Sequence, residues 1–482
     1  MITKISKTNF GRLNARTFYQ YLKNNLSDET FYISVGYIPD SEYIAYAGTD
    51  SENSIYAGGL NSVDYDSKDA LFYSQHTMSY HKVFPGSVSP VVNRVDWTRG
   101  NIYDSWPNRN SYVLVRDVES GFAKLNVYIC LFSPRTESIY APTGTSTEAF
   151  MLDNYIWKYA YTITDSQAVK FLDSTYMPVN TQISKTEAES LRPGSDRYNQ
   201  LTVQSNAKAG LLYDVTVDSE VLLASSLSSM GYFPGNTVKF YARDDSGNVP
   251  TNRLRGKVTY DALYSKHIFE LDQIGEDYIG PITFVDSDTL TEFQGLSGTV
   301  APLGGFGTSP SNEINATSIK ISVKETNENY ESAFVNNTPF NIVNLVENPI
   351  DLGTKKIAKQ EFYFGCRSFE TQNPNNYSIG ETITKNDGAG GTDSNMIFEV
   401  IGVYQDRVYY LNKIQGNERF QFAVGDGVSV VGTSLKDNII KRVYDREIFF
   451  NSGNILASRY FSDSIYRTKD QIESFNFIIN FE

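Results

Sequence analysis

The chain has 482 residues, 40% of them hydrophobic and 20% charged. A chain of this length is longer than one hydrophobic core usually supports, so two or three domains are expected. Lys and Arg number 42 against 56 Asp and Glu, and this net charge of −14, without a Lys/Arg cluster, argues against nucleic acid and anionic membranes as partners. No stretch approaches the roughly 18 apolar residues of a membrane span, and the N-terminal "MITKISKTNFGRLNART" lacks the apolar run of a secretory signal.

Aromatic residues are abundant at 14%, with 34 Tyr and 29 Phe but only 3 Trp. Tyrosine is typical of β-sheets and of protein interfaces, where the ring packs and the hydroxyl finds a partner. The two cysteines, Cys130 and Cys366, lie far apart among strand-forming residues. Buried free thiols are therefore predicted rather than a disulfide, in keeping with a reducing compartment.

The first predicted element is a helix capped by Asn14, with Phe18, Leu22 and Leu26 on one apolar face. Strand patterns follow, namely "TFYISVGYI", "SYVLVRD", "NVYICLF" and "YIWKYAYTI".

Two short helices are predicted next, one capped by Thr164 and one with capping-box spacing between Ser184 and Glu187. The segments "GLLYDVTVD", "NTVKFYARD" and "HIFELDQI" are then predicted as strands.

Residues 301–315, rich in Gly, Pro, Ser and Asn, are predicted as a linker or long loop. In "ATSIKISVKET" the alternation of apolar and polar residues predicts a half-buried strand. The C-terminal "SFNFIINFE" places three Phe and one Ile on one face, which predicts a docked last strand. The fold class is therefore mainly β, a layered β-sandwich with a few short helices on loops.

The segment "LDNYIWKYAYTI" places Tyr155, Trp157, Tyr159 and Tyr161 at alternate positions, which predicts one aromatic stripe on one face of a strand. Such a stripe either stacks on a sugar or packs inside the protein. The regular strand pattern and the large apolar area of each ring favour packing in the core or between layers.

A search for catalytic and metal-binding motifs is largely negative. His76 and His81 lack the spacing that places two ligands on one helical turn, and His267 begins a predicted strand without a Cys or His neighbour. We interpret the first two as loop or surface residues.

Two further stretches only superficially resemble ligand-binding loops. "GDGVSVVG" (425–432) is interpreted as a hairpin turn followed by a strand, and "DYDSKD" (64–69) as a solvated acidic turn because the calcium-loop Gly and Glu are missing. Glycoside hydrolysis by a pair of carboxylates remains an open alternative, because nothing in the spacing of the 56 acidic residues selects two of them.

Two segments, considered together, resemble a known family. The first begins with "VVNRVDWTRGNIYDSW" (91–106) and continues into the Tyr/Trp strand, and the second is the C-terminal "FFNSGNILASRYFSDSIYRTKDQIESFNFIINF". They are similar to the baseplate wedge subunit of T-even-type contractile-tailed bacteriophages, the gene-product-eight class. The positions that match in the first segment are Arg94, Asp96, Trp97, Gly100, Tyr103, Asp104, Asp153, Tyr155, Trp157 and Tyr159.

The C-terminal match has departures from the family pattern. Ser464 stands in place of a Pro, Ile472 in place of a Thr, and "YFSD" is an extra stretch, while Asn154 replaces a Gly in the earlier strand. The C-terminal positions that match are Ser452, Gly453, Arg459, Ile465, Arg467, Asp470, Gln471 and Glu473.

The resemblance covers about two thirds of the chain, roughly residues 10–180 and 343–482. It implies an N-terminal sandwich part (1–180), a β-rich inserted module (181–315) and a C-terminal region that completes the sandwich (316–482).

The resemblance implies that the protein is a structural subunit of a virion, located in a tail baseplate that is assembled in the host cytoplasm. Family members form homodimers and join other wedge subunits in the baseplate that triggers sheath contraction. They are not enzymes, need no cofactor or metal, and bind no nucleic acid, membrane or small-molecule substrate. The alternatives are a carbohydrate- or receptor-binding tail protein and, less favoured, a polysaccharide-degrading enzyme.

Overall fold

A computed structural model describes most of the chain. The described residues are 7–24, 29–38, 74–108, 110–119, 122–217, 237–261, 266–293, 296–325, 339–386, 392–404, 406–413, 420–432, 438–449, 451–466 and 473–481. Strands make up 45% and helices 14% of the structure, and several antiparallel sheets give a sandwich-like fold. The mainly β class predicted from the sequence is confirmed. No helix among the described residues is long and apolar enough to cross a membrane.

Helices in the described residues are few and short. They are α1 (Lys7–Asn24), α2 (Asp165–Phe171), α3 (Lys185–Ser190), α4 (Asp196–Ser205) and α5 (Pro310–Glu313).

The predicted caps of the two short helices, Thr164 and Ser184, are confirmed. At α2, the Thr164 hydroxyl accepts from the Gln167 N–H (3.3 Å) and the Gln167 side chain accepts from the Thr164 N–H (3.1 Å), a complete capping box. At α3, Ser184 accepts from the Glu187 N–H (3.2 Å), whereas the Glu187 carboxylate pairs with Arg197 (2.7 Å).

The start of α1 differs from the prediction. The helix begins at Lys7, so Asn14 lies inside it and does not cap it, and Leu26 lies outside the described residues. Gly11, Ala15 and Leu22 are buried, and their spacing places them on one face of the helix.

The strands, in chain order, are β1 (Phe31–Gly36), β2 (Thr77–Lys82), β3 (Val88–Asn93), β4 (Tyr112–Glu119), β5 (Phe122–Phe132), β6 (Phe150–Leu152), β7 (Tyr155–Ile163), β8 (Tyr176–Pro178), β9 (Thr216–Val217), β10 (Thr237–Asp244), β11 (Arg255–Asp261), β12 (Lys266–Gln273), β13 (Ile282–Asp286), β14 (Leu296–Ser297), β15 (Ser318–Glu325), β16 (Pro339–Glu347), β17 (Phe362–Phe364), β18 (Arg367–Thr371), β19 (Thr382–Asn386), β20 (Thr392–Tyr404), β21 (Arg407–Asn412), β22 (Gly427–Val430), β23 (Asn438–Tyr444), β24 (Asn454–Tyr466) and β25 (Glu473–Asn480). Short 3-10 turns occur at Pro85–Ser87 and Pro374–Asn376.

The chain forms two compact units, each discontinuous in sequence. Unit 1 consists of Met1–Tyr19, Ser89–Lys320 and Ile478–Glu482, and unit 2 of Gln20–Val88 and Ile321–Phe477. The three-part division at residues 180 and 315 stays a prediction about sequence organisation.

Unit 1 contains two four-stranded antiparallel sheets, in the orders β4-β5-β7-β6 and β12-β11-β10-β13, and the small pair β14-β9. A further four-stranded sheet has the order β25-β15-β3-β8. The cores of unit 1 are lined mainly by Val, Ile, Leu, Phe and Tyr from these sheets. Strands that follow each other along the chain pair in the first two of these sheets, as β4 does with β5 and β11 with β12.

Unit 2 contains a five-stranded antiparallel sheet, in the order β17-β2-β1-β16-β24, and a closed barrel, in the order β18-β21-β20-β19-β22-β23. The barrel interior is packed with side chains that include Phe369, Phe398, Tyr410 and Phe422. Gly425, with φ of 91°, lies in a turn before β22, so the turn and the following strand predicted for "GDGVSVVG" are confirmed. The predicted hairpin is wrong, because residues 420–423 before the turn are not a strand. "DYDSKD" lies outside the described residues.

Strand β7 is buried along its whole length, on both faces. Against β5, Tyr159 pairs with Tyr128 but Tyr161 pairs with Val127, so Ala160 is an extra residue and forms a bulge. The bulge reverses the alternation. Tyr155, Trp157 and Tyr159 enter one core, whereas Tyr161 enters the other.

The predicted single stripe is therefore correct for three rings and wrong for Tyr161. A contact on the far side of the bulge supports this assignment, because the Tyr159 hydroxyl lies 2.8 Å from Thr162 Oγ1. All four rings are buried.

Two strand predictions need correction. Among the described residues of "GLLYDVTVD" (210–217), only Thr216–Val217 is a strand. The buried residues before it form an irregular segment, and their apolar pattern reflects burial in the core. Strand β15 is buried on both faces, since Lys320 and Ser322 are buried as well as its apolar residues. The Lys320 ammonium is paired with Asp173 at 2.7 Å, as a buried charge requires.

Both cysteines are buried free thiols, as predicted. The prediction for two histidines is wrong: His76 and His81 are buried, not on a surface. His81 Nε2 lies 3.0 Å from Ser79 Oγ, and its ring packs edge-on against Phe362 with centroids 5.1 Å apart. Strand β12 includes His267 near its start, as predicted.

Candidate functional site

The segment 94–104 lies against the aromatic side of β7. Tyr103 is buried, and its ring contacts Trp157 edge-on at 5.7 Å and Tyr155 at 6.4 Å between centroids. Tyr155 and Trp157 stack at 5.5 Å with planes 20° apart. Tyr103 and the three β7 residues, which are 52 or more positions away in the sequence, thus form one cluster. We define this aromatic cluster as Tyr103, Tyr155, Trp157 and Tyr159.

The Tyr155 hydroxyl connects this cluster to the backbone of two loops. It accepts from the Tyr103 N–H (3.3 Å) and donates to the Thr136 carbonyl (2.5 Å). Burial raises the pKa of Tyr155, so the hydroxyl stays protonated and keeps its donor. Tyr103 folds back on its own segment, accepting from the Thr98 N–H at 2.6 Å.

The two loops, residues 98–102 and 134–140, are also joined directly. The Gly100 N–H donates to the Ser138 carbonyl (2.8 Å), and the Ser138 N–H donates to the Asn101 carbonyl (2.9 Å). The Trp97 indole N–H donates to the Ser138 hydroxyl (3.1 Å). Gly100 has φ of 88°, a conformation that favours glycine.

Asp153 fixes the second loop from the opposite side. It occupies the β6–β7 turn with Asn154, and the two residues have φ of 53° and 64°, the left-handed region that Asp and Asn tolerate. One Asp153 carboxylate oxygen accepts from the backbone N–H groups of Ile139 (2.8 Å) and Tyr140 (2.6 Å).

The fixed loops present apolar side chains to solvent. Ile102 is 57% exposed, Ile139 44% and Tyr140 62%. We call these three side chains the loop surface. Sequence patterns did not identify Ile139, Tyr140 or Ser138, because the hydrogen bonds that hold them come from residues distant in the chain.

The remaining residues of the first matching segment are peripheral to the cluster. Arg94 Nε pairs with Asp96 (2.8 Å), and its NH1 donates to the Asp173 carbonyl (3.0 Å). Asp104 is exposed, and nothing in the structure explains its identity.

The described residues of the C-terminal match belong to unit 2, whereas the aromatic cluster belongs to unit 1. Ser452 donates to the Phe449 carbonyl (2.6 Å) and accepts from the Ile350 N–H (2.9 Å). Gly453 has φ of 82°, and a side chain there would meet the Glu347 carbonyl.

Arg459 lies on β24 with its guanidinium 6.0 Å from the Phe461 ring centroid, and Ile465 is near the end of the same strand. Glu473 begins β25. Arg467, Asp470 and Gln471 lie outside the described residues.

Two buried carboxyls have raised pKa values, and each has a structural role. Burial raises the pKa of Asp214 to about 6, and one of its oxygens accepts from the Ser105 hydroxyl at 2.7 Å. Burial raises the pKa of Glu313 to about 7, and its oxygens accept from the Gly307 N–H (2.9 Å) and the Ser309 N–H (2.8 Å).

Neither carboxyl belongs to a recognisable catalytic set. Within the described part of the chain, no hydrogen bond joins Ser105 or Asp214 to a histidine, and no group of three His, Cys, Asp or Glu side chains has metal-binding geometry. The geometry of this region is that of a packed core beneath fixed loops.

No protein-family model matches this chain, and a search of curated proteins finds no match. The resemblance to the baseplate wedge family therefore stays a prediction that rests on the residues themselves.

Proposed function

We propose that this protein is a structural subunit that assembles with other proteins and that the loop surface is one of its contact regions. The observation that carries the proposal is the combination of exposed Ile102, Ile139 and Tyr140 with loops held in place by Trp97, Asp153 and the aromatic cluster. Apolar and aromatic side chains of this kind are the usual anchors of protein interfaces.

Fixed loops suit an assembly protein for an energetic reason. Association costs the ordering of side chains and loops at the interface, and a surface already ordered before binding avoids part of that cost. At the loop surface, backbone and side-chain hydrogen bonds impose this order before any partner arrives.

The resemblance in sequence supports a specific assembly, the wedge of a contractile phage tail baseplate. In this proposal the chain is a homodimer in the virion, contacts other wedge subunits, and has no catalytic role or cofactor. The support is the order and chemistry of the matching positions, from Arg94 to Glu473.

A carbohydrate- or receptor-binding tail protein is the second candidate. Tyr140, at 62% exposure, is the observation that favours it, because an exposed ring can stack on a sugar. A single exposed ring is weaker support than the fixed apolar surface.

The test is co-assembly of the full chain with candidate wedge proteins, followed by size-exclusion chromatography with light scattering. Ile139→Asp places a charge in the loop surface and is expected to reduce co-assembly at least about tenfold. Val169→Asp, at an exposed Val on α2, is the matched control and is expected to assemble normally.

Equal assembly of the two variants would exclude the loop surface as a contact region. Saturable glycan binding by the isolated chain, abolished by Tyr140→Ala and accompanied by no affinity for wedge proteins, would replace the assembly proposal with the second candidate.

A further inference from the structure

The sheet β12-β11-β10-β13 of unit 1 has two edge strands, and one of them is covered by the chain itself. Residues 291–293 run beside β13. The Asp286 N–H donates to the Thr291 carbonyl (2.9 Å), and the Phe293 N–H donates to the Phe284 carbonyl (2.8 Å). The backbone of this edge is therefore already paired within the chain.

The opposite edge, at β12, is open. In the described part of the chain, the backbone of Lys266–Gln273 forms hydrogen bonds only with β11. Strand β12 contains no proline and has eight residues, against five in β13, so it lacks two features that commonly protect an edge. An edge of this kind presents N–H and C=O groups that can pair with a strand of another chain.

Most of this edge is regular. Residues 266–271 pair without interruption with residues 256–261 of β11, and the register shifts only beyond Gly256, where Asp272 is an extra residue. A bulge usually turns an edge away from further pairing. Because this bulge lies at the end of β12, six residues before it keep the geometry of an extended strand.

The regular part of β12 is also fixed in place by its own core. Phe269 and Leu271 are buried, at 1% and 7% exposure, whereas Ile268 is half-buried and Glu270 is exposed. The two buried side chains belong to the large core of unit 1. A strand that is ordered before it meets a partner avoids part of the cost of association.

Opposite charges lie at equal distances on the two sides of Ile268. Lys266 comes two residues before it and Glu270 two residues after it. If two copies of β12 run antiparallel about a two-fold axis at Ile268, Lys266 of each copy is directly opposite Glu270 of the other. Directly opposite residues in an antiparallel pair share a face and have Cβ atoms about 4.5 to 5.5 Å apart, so the two charges attract.

We infer that β12 pairs antiparallel with β12 of a second copy of this chain. The two four-stranded sheets then form one continuous sheet of eight strands. The contact is isologous, as a two-fold axis requires, with the two Ile268 residues opposite each other at its centre and a pair of opposite charges on either side.

The charges select a second copy over an unrelated strand. An unrelated strand satisfies both positions only if it places an acid opposite Lys266 and a basic residue opposite Glu270, and like charges there repel. A second β12 meets both conditions by symmetry. Within the sheet, Glu270 is opposite Lys257, whose ammonium pairs with Asp272 at 3.3 Å. Among the described residues, Glu270 forms no ion pair of its own.

The contact lies outside the regions discussed so far. Strand β12 belongs to the residues that the sequence resemblance does not cover, and it contains no residue of the loop surface. The proposed homodimer has no assigned contact, and the pairing of β12 supplies one; to this extent it rests on the proposed function.

The first measurement is the molar mass of the full chain by size-exclusion chromatography with light scattering over a range of concentrations. A dimer is expected, with a Kd on the order of 10 μM. Lys266→Glu and Glu270→Lys each place like charges opposite one another and are expected to weaken dimerisation about tenfold or more. Lys239→Glu on β10 and Glu189→Lys on α3 make the same changes at exposed positions away from the edge and are expected to dimerise like the unmodified chain.

Mixing the two edge variants tests the register. The Lys266→Glu chain has acids at both positions and the Glu270→Lys chain has lysines at both, so a mixed pair has opposite charges at both contacts. The mixed dimer is expected to form at least about tenfold more tightly than either variant with itself. A chain that carries both changes is expected to recover self-pairing, which also shows that the changed residues are compatible with folding.

A covalent trap tests the position of the axis. Ile268→Cys places a thiol directly opposite its own copy, within reach of a disulfide. Cys130 and Cys366 are buried and do not compete. Mild oxidation is expected to give a covalent dimer on a non-reducing gel, whereas Thr237→Cys, at an exposed position of β10, is expected to remain monomeric.

A monomer at all concentrations, unchanged dimerisation of Lys266→Glu, or no covalent dimer of Ile268→Cys would each overturn the inference. A dimer that none of the β12 changes affects would leave the proposed homodimer standing through another surface. Loss of co-assembly with wedge proteins in Lys266→Glu, without a covalent dimer of Ile268→Cys, would identify a foreign strand as the occupant and also overturn the inference. Since Ile139→Asp leaves β12 intact, its result bears on the loop surface alone.

Discussion

The Asp153 carboxylate accepts from the backbone N–H of Tyr140 at 2.6 Å, and the same oxygen accepts from the N–H of Ile139. A residue in the β6–β7 turn therefore sets the conformation of a loop more than ten positions earlier. The positions of the exposed side chains of Ile139 and Tyr140 therefore depend on Asp153.

Asp153→Ala removes this acceptor and places Ala at a φ of 53°. We expect the unfolding free energy to fall by about 1 to 3 kcal/mol, because two N–H groups lose a charged acceptor. Hydrogen exchange by mass spectrometry should show faster exchange at Ile139 and Tyr140. Asp153→Asn, which keeps an acceptor and tolerates the backbone conformation, is the control. Unchanged protection in the Ala variant would contradict the role of Asp153.

Tyr155→Phe keeps the ring stack on Trp157 and removes the hydroxyl. The Tyr103 N–H and the Thr136 carbonyl both lose their partner, so we expect a loss of about 1 to 3 kcal/mol in chemical denaturation. Exchange in residues 134–140 should also accelerate.

The control for this change is Tyr161→Phe. The Tyr161 hydroxyl donates to the Pro178 carbonyl at 2.9 Å, away from the loops. Its removal should lower stability without changing exchange in residues 134–140. Accelerated loop exchange in both variants would indicate a general loss of packing instead.

Trp157→Ala should lower the unfolding free energy by about 3 to 5 kcal/mol, because the ring is fully buried. Among the residues that the structure describes, the indole N–H of Trp157 has no hydrogen-bond partner. Trp157→Phe removes this unsatisfied donor along with part of the ring, so we expect a cost below about 2 kcal/mol. Equal costs for the two variants in urea denaturation would show that the indole is not held as described.

Glu313 should make the stability of unit 1 depend on pH. Burial raises its pKa to about 7 from an ordinary value of 4.5. A carboxyl with a raised folded-state pKa stabilises the fold at acid pH, and this contribution is lost as the pH rises through about 7.

Glu313→Gln removes this titration and is expected to be less stable at every pH, since its amide accepts from only one of the two N–H groups. The difference in unfolding free energy from the unmodified chain should shrink by about 2 kcal/mol between about pH 5 and pH 8. Urea denaturation of both proteins across this range is the measurement. Parallel curves would show that Glu313 titrates normally in the folded state.

Local chemistry explains which elements the sequence predicts. Thr164 caps α2 because its hydroxyl and Gln167 act within one turn. Strands β1, β7 and β10 lie within the predicted segments, and β4, β5 and β12 overlap theirs but begin or end outside them. In these segments, alternating or continuous apolar residues indicate burial. The buried state of Cys130 and Cys366 likewise follows from their strand-forming neighbours.

Features that depend on distant residues were not predictable in the same way. The six-stranded barrel brings β18 beside β23, and no local pattern specifies that pairing. The burial of His81 depends on Phe362 and Phe475. The loop surface depends on Ser138 and Asp153, which belong to different turns.

Strand β7 contributes side chains to two cores, one on each side of the strand. It therefore has no solvent-exposed face on which substitutions would leave stability unchanged. If Ala160 paired with Val127 instead, strict alternation would return and the environments of Tyr161 and Thr162 would be exchanged. A hydroxyl would then enter an apolar core, and a large ring would enter the space that the Tyr159 hydroxyl now shares with Thr162. Along this strand, the spacing of the side chains is as constrained as their identity.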